Sequence, residues 1–186
     1  MSADGSVSTP VTVAQGGTGV SSLTAYAVVC GGTTTTGAVQ SIASVGTSGQ
    51  VLMSNGASAL PTMQGLGSAF EFVIDGAGSA ITTGFKGFLE APFAATINRG
   101  TLIADVTGNV VIDVWKSTYA NAPPVAANTI VASAPLTITS AKKSQDTTLT
   151  GWTTSIAAGD ILGFNVNSAA TITNLLVSLK VTRTGA

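Results

Sequence analysis

Fourteen of the fifteen charged side chains of this chain lie from Glu71 onward, and the first 70 residues carry only Asp4. The rings divide at the same place: Tyr26 is the one aromatic residue before Phe70, and the other nine follow. A globular core is built from large apolar side chains, each contributing about 1.5–3 kcal/mol when buried. The first 69 residues offer only a scatter of Val, Leu, Ile and Met, too little for an independent monomeric globule. Disordered segments are as a rule richer in charge and proline than this stretch. It therefore reads as a segment that buries small residues against copies of itself. The chain divides accordingly into an extended, low-charge segment, residues 1–69, and a domain, residues 70–186.

Small, β-compatible residues stand where charge is missing. The chain has 28 Thr and 22 Gly, and runs of Leu, Glu, Lys and Arg that would support helices do not occur. The expected class is all-β. In the first segment Val11-Thr12-Val13 and Ala25-Tyr26-Ala27-Val28-Val29 are short strand-like clusters, and Asn55-Gly56 follows the apolar run Val51-Leu52-Met53 as a hairpin signal. Uncovered edges without charge aggregate, so self-association is expected to cover them. In the second part Leu175, Val177, Leu179 and Val181 alternate with Leu176, Ser178, Lys180 and Thr182, and Leu162, Phe164 and Val166 alternate with Gly163, Asn165 and Asn167. Further strands are expected at Phe70 to Ile74, Phe85 to Glu90, Gly100 to Asp105, Val110 to Lys116, 129–139 and 147–154. Seven or eight short strands in about 115 residues fit a β-sandwich or jelly roll, with Tyr119 to Asn128 as a long loop.

Charged residues make up 8% of the 186 residues, against about a quarter in soluble domains. The apolar runs are broken throughout by Gly, Ser and Thr, so no spanning helix is expected. The opening MSADGSVSTP lacks the basic start and apolar stretch of a Sec signal. A net charge of −1 without a basic cluster argues against nucleic acid or an anionic membrane as partner. With no histidine and a single cysteine, Cys30, the chain has no His-based catalysis, no thiolate metal site and no internal disulfide.

The remaining candidates have plainer explanations. Gly32 to Gly37 has the spacing of a phosphate loop, but Ala38 and Val39 stand where Lys and Ser/Thr are needed. Glu71, Asp75, Glu90, Asp105, Asp113, Asp146 and Asp160 could include a glycosidase pair, with carboxyls about 5–10 Å apart; turn and edge-strand acids are the simpler reading. No oxygen-rich loop marks a calcium site at Asp75. Cys30 reads as a small buried residue and Lys142-Lys143 as a solvated loop. No catalytic, cofactor-binding or metal residue is assigned. Trp115, Tyr119 and Trp152 are the binding candidates, since aromatic faces stack on sugar rings and anchor protein contacts; Trp152 is expected in the core, leaving Trp115 and Tyr119 for the surface.

The stretch Val13-Ala14-Gln15-Gly16-Gly17-Thr18-Gly19 resembles the GGTG element of bacteriophage tail-fibre and related virion appendage proteins. Gly46-Thr47-Ser48-Gly49-Gln50-Val51-Leu52-Met53-Ser54-Asn55-Gly56, ending in Pro61-Thr62-Met63-Gln64, resembles a second element of those proteins. Ile112-Asp113-Val114-Trp115-Lys116, Thr150-Gly151-Trp152 and Ile156 to Leu162 are similar to a β-sandwich domain at their ends. The resemblance implies a non-enzymatic homotrimer with no cofactor, located in the virion: an intertwined β fibre and attachment segment followed by a jelly-roll-like β-sandwich. Gly16, Gly17, Thr18, Gly19, Asn55 and Gly56 would be its fibre and trimer turns. Its partners would be other virion proteins, of tail, baseplate, neck or capsid, and a host-surface glycan or protein. The chain lacks a long shaft, so a short tail fibre for host attachment and a head or neck decoration protein are both implied, with a small polysaccharide hydrolase as a remote third.

Overall fold

The computed structural model describes residues 10–185. Half of the described residues are strand and about 5% are short 3-10 turn, with no long helix among them, so the fold is all-β. It divides into two compact units, with the boundary between Gly65 and Leu66.

The first unit has four short strands: β1 (Val29–Cys30) pairs with β2 (Gln40–Ser41), and β3 (Gln50–Met53) with β4 (Thr62–Gly65), both antiparallel. Among the described residues Ile42 is its one fully buried large side chain, while nine others, Leu23, Val29 and Leu52 among them, are exposed. Two expected strands are absent. Val11-Thr12-Val13 leads into a 3-10 turn, Val13–Gln15, whose turn hydrogen bonds take the place of a ladder. Of Ala25 to Val29 only Val29 is strand, because Tyr26 adopts a left-handed backbone (φ 61°) that interrupts extension. The hairpin after Met53 forms, but not on a two-residue turn: eight residues, 54–61, connect β3 to β4. Small Ala57, Ser58 and Ala59 give Leu52 and Met53 nothing to pair with, and the register moves on until Leu52 lies opposite Met63.

The second unit is one curled, antiparallel seven-stranded sheet, built from β5 (Gly67–Asp75), β6 (Gly84–Glu90), β7 (Ala94–Ser117), β8 (Leu136–Asp146), β9 (Ser155–Ile156), β10 (Ile161–Ala170) and β11 (Asn174–Gly185). β7 is its spine. Ala94 to Ala104 pairs with β11, whose other edge carries β5; Asn109 to Ser117 pairs with β10, whose other edge carries β6. The sequence predicts two strands within these 24 residues, yet they run through as one. Gly108 lies near the change of partner, where a Cβ would run into the Ala170 carbonyl. β8 lies along the opposite edge of both halves of β7.

The curl brings the sheet's edges together over a shared core. Leu175, Val177, Leu179 and Val181 of β11 are fully buried, as are Leu162 and Phe164 of β10 and Val110, Ile112 and Val114 of β7. Phe72 of β5 stacks on Phe164 of β10, with centroids 4.5 Å apart and planes 8° from parallel. The strands expected over 129–139 and 147–154 are largely replaced by β8, which lies between and across them. Leu149 (φ 51°) and Gly151 (φ 75°) make the second stretch a turn. Lys142 and Lys143 are exposed, but they sit on β8 rather than in a loop, as lysines on an edge strand do.

Candidate functional site

The outer face of the sheet, opposite the core, carries an aromatic shelf across β6, β10 and β7. In one row Phe88 lies opposite Gly163, and Gly163 opposite Trp115; in the next, Phe85 lies opposite Asn165, and Asn165 opposite Asp113. Phe85 and Phe88 are three apart, a spacing that puts residues on opposite faces of a regular strand. Here Lys86 is an extra residue with no partner on β10, a β-bulge that turns both rings to the same face. The rings are contiguous: Phe85 is 4.5 Å from Phe88 and 5.7 Å from Trp115, centroid to centroid. Phe85 is 40% and Phe88 49% exposed, and Trp115 is half-buried.

Gly163 supplies the floor. A Cβ there would stand 3.1 Å from Phe85 Cε2 and 3.0 Å from Pro124 Cγ, so glycine lets both rings settle where a side chain would push them back by a few tenths of an ångström. Pro124 brings in the loop after β7, and the loop is tied down nearby. Asp113 accepts from Trp115 Nε1 (2.8 Å) on one oxygen and from the Thr129 hydroxyl (2.5 Å) on the other. Thr129 also forms a backbone bridge with Trp115. The carboxylate thereby fixes the indole plane and the loop together. Beside it Asn165 donates to Asn167 Oδ1 (2.7 Å), leaving Asn165 Oδ1 and Asn167 Nδ2 without partners among the described residues.

The sequence candidates are thus only partly brought together. Trp115 joins the shelf. Tyr119, in the 3-10 turn Tyr119–Asn121, is 81% exposed and stacks on no ring among the described residues. Trp152 is buried and donates to the Ala134 carbonyl at 2.9 Å. Phe85, Phe88, Gly163 and Asn165 are not singled out by sequence; the signal available is a Phe-x-x-Phe spacing inside a strand.

In the first unit Gly16, Gly17, Thr18 and Gly19 form a crossing of chain segments. Gly16 (φ 84°) closes the 3-10 turn, and Gly17 and Gly19 donate to the Thr12 and Val11 carbonyls at 2.9 Å. A Cβ on Gly17 would collide with the Val11 carbonyl, and one on Gly19 would lie 2.8 Å from Ala38 Cβ. Thr18 accepts the Val39 N–H at 2.9 Å. Asn55 braces the loop after β3, donating to the Leu60 carbonyl at 2.8 Å and accepting from Gln64, and Gly56 (φ 99°) sits in the left-handed region. Cys30 is a half-buried free thiol rather than a fully buried one, because Gly31 and Gly32 follow it and cover little.

Most carboxylates hold turns or neighbours. Asp75 accepts the Ala77 N–H, Asp146 those of Thr148 and Leu149, and Asp160 that of Ala157 while pairing with Lys116 at 3.2 Å. Glu71 accepts from Ser178. The Thr173 hydroxyl, then the Asn174 N–H, lower the Asp105 pKa from 3.8 to about 2. No group of three or more Cys, Asp or Glu side chains converges among the described residues. Comparison of the chain with protein-family models, curated proteins and solved structures found no match.

Proposed function

We propose that this chain is a non-enzymatic bacteriophage structural protein, a short homotrimeric tail fibre or appendage that attaches the particle to its host. The N-terminal unit associates with its copies and with the virion, and the C-terminal unit is presented outward. The observation that carries this reading is the contrast between the units. The second buries twenty-six apolar residues in one cluster, whereas the first buries Ile42 and leaves nine large apolar side chains in water. A unit with so little core depends on partners for stability, and identical copies offer the same uncovered strands in return. We read the curled sheet as a jelly-roll-like β-sandwich, a reading supported by the packing of Phe72 on Phe164 between strands that share no hydrogen bonds. Three such domains on one particle bind a surface far more tightly than one, through effective concentration.

Solution mass tests the assembly. The full chain is expected at three times 18.3 kDa, and a fragment of residues 66–186, which keeps β5 whole, is expected to be monomeric. A monomeric full-length chain overturns the proposal. Immunogold labelling of particles tests the placement: gold at the tail extremity is expected, and gold spread over head or collar refutes the tail assignment.

A further inference from the structure

We propose that the shelf of Phe88, Phe85 and Trp115 is a binding site for a neutral glycan, whose pyranose rings stack on the three aromatic faces. The assignment rests on the host-attachment reading and names the chemistry of its ligand.

Two phenylalanines and a half-buried tryptophan lie side by side, open to water, on the face of the sheet opposite its buried core. Contiguous exposed apolar patches of this kind mark interaction sites. The patch is also built rather than incidental: the Lys86 bulge turns Phe85 and Phe88 to one face, and Gly163 clears the floor beneath Phe85. Asp113 clamps the Trp115 indole and, through Thr129, the adjoining loop. The rings are therefore held before any ligand arrives, which removes much of the ordering cost of binding.

The polar groups select the ligand. Asn165 stands in the Phe85 row itself and Asn167 lies further along the same strand, so the free Asn165 Oδ1 acceptor and Asn167 Nδ2 donors form an amide edge beside an aromatic floor. A pyranose presents the complement: a C–H face for the rings, and hydroxyls that both donate and accept at its rim. An apolar protein surface would instead bury those amides and the Asp113 carboxylate without new partners, at a cost in desolvation. Charge argues for a neutral sugar. Asp113 is the one charged residue in the two rows, and the nearby Lys86 ammonium is engaged by the Thr82 hydroxyl at 2.9 Å; a polyanion would require a cluster of free cations.

The test uses full-length protein titrated with dextran, mannan and galactan, with polygalacturonate as the anionic control. Tryptophan fluorescence is the readout, since Trp115 reports the shelf and buried Trp152 reports folding. Saturable binding to at least one neutral polymer is expected, with Trp115 shielded from acrylamide. Phe85→Ala and Phe88→Ala are each expected to weaken it at least tenfold with Trp152 emission unchanged. Trp115→Phe, which keeps a ring in place, is expected to bind more weakly but measurably by co-sedimentation. Failure to bind any neutral polymer, binding to polygalacturonate alone, or unaltered binding by both Phe variants overturns the assignment. Adsorption to cells separates the two proposals. Shelf variants that coat host cells as well as the wild type defeat the glycan site and leave attachment standing. A wild type that binds glycan in solution but coats no cell defeats attachment and leaves the site.

Discussion

Replacing Phe164 by Ala removes a fully buried ring that joins two strands with no hydrogen bond between them. Its partner Phe72 comes from β5, at one edge of the sheet, while Phe164 lies on β10, three strands along the ladder. Emptying a packed site of a phenylalanine costs about 3–5 kcal/mol. Phe72 is half-buried, so Phe72→Ala costs less, about 1–2 kcal/mol by the transfer of a partly covered ring. Near-parallel rings at 4.5 Å add a pairwise term of about 0.5–1.5 kcal/mol. The double variant is therefore expected to lose less than the sum of the single losses by that amount. A third position sharpens the test. A Cβ on Gly87 would stand 2.7 Å from Phe72 Cζ, so Gly87→Ala overpacks the wild type by about 1–3 kcal/mol; with Phe72 as Ala that part of the cost disappears and only the backbone strain of a positive φ (157°) remains. The assay is urea unfolding in a Trp115→Phe background, which leaves Trp152 as the sole indole, with the slopes compared so that only stability differs. A Phe72–Phe164 coupling within about 0.3 kcal/mol of zero, together with equal cost of Gly87→Ala in both backgrounds, refutes the curl: the rings would then not meet.

Asp105 governs part of the acid response. Its pKa is lowered from 3.8 to about 2 in the fold, chiefly by the Thr173 hydroxyl, so its stabilisation is complete above about pH 4 and is lost as pH falls from there toward 2. Scanning calorimetry should show Asp105→Asn with a flatter fall in Tm across that window, and an unchanged acid limb contradicts the assignment. In the first unit Gly17→Ala is expected to disrupt more than Gly16→Ala. Gly16 has open space and a positive φ, a strain of about 1 kcal/mol for alanine, whereas Gly17 has no room beside the Val11 carbonyl. Limited proteolysis of residues 10–65 in the assembled protein measures the order, and equal cleavage of both variants refutes the crossing as described.

The strands that sequence makes visible are those with one face in the core and one in water. β11 is the clearest case: its four alternate aliphatic residues are completely buried, and period two states as much. β7 is harder to see whole because Thr107-Gly108-Asn109 carries the composition of a turn. The glycine there serves close approach to the Ala170 carbonyl rather than reversal of the chain. β8 is displaced in the sequence reading because Thr139 to Asp146 is polar on both faces. Its place is fixed by pairing with β7, which a single stretch of sequence does not encode. In the first unit the glycines are legible as turns, but the strand clusters are not. With so few large side chains, backbone hydrogen bonds such as Gly19 to Val11 and Val39 to Thr18 decide the path, and these leave no periodic trace.

The shelf is hidden for a related reason. Trp115 is visible because tryptophan is rare and lies on the same strand face as Asp113, whereas strict alternation assigns Phe85 and Phe88 to opposite faces and sends one of them to the core. The Lys86 bulge cancels that inference, and a bulge is a property of two strands: it exists only because Asn165 and Phe164 are consecutive on β10 while Phe85 and Gly87 are not consecutive on β6. Gly163 is equally silent in sequence, the small member of an alternating run, until Phe85 and Pro124 are seen to occupy the space a side chain would need. A regular strand would have buried one ring beside Phe164 and left the other alone in water. The irregularity costs a ladder position and places both rings in solvent. That expense makes sense if something outside the fold covers them, and their polar neighbours, two amides with unused hydrogen-bonding capacity, describe the surface that does so.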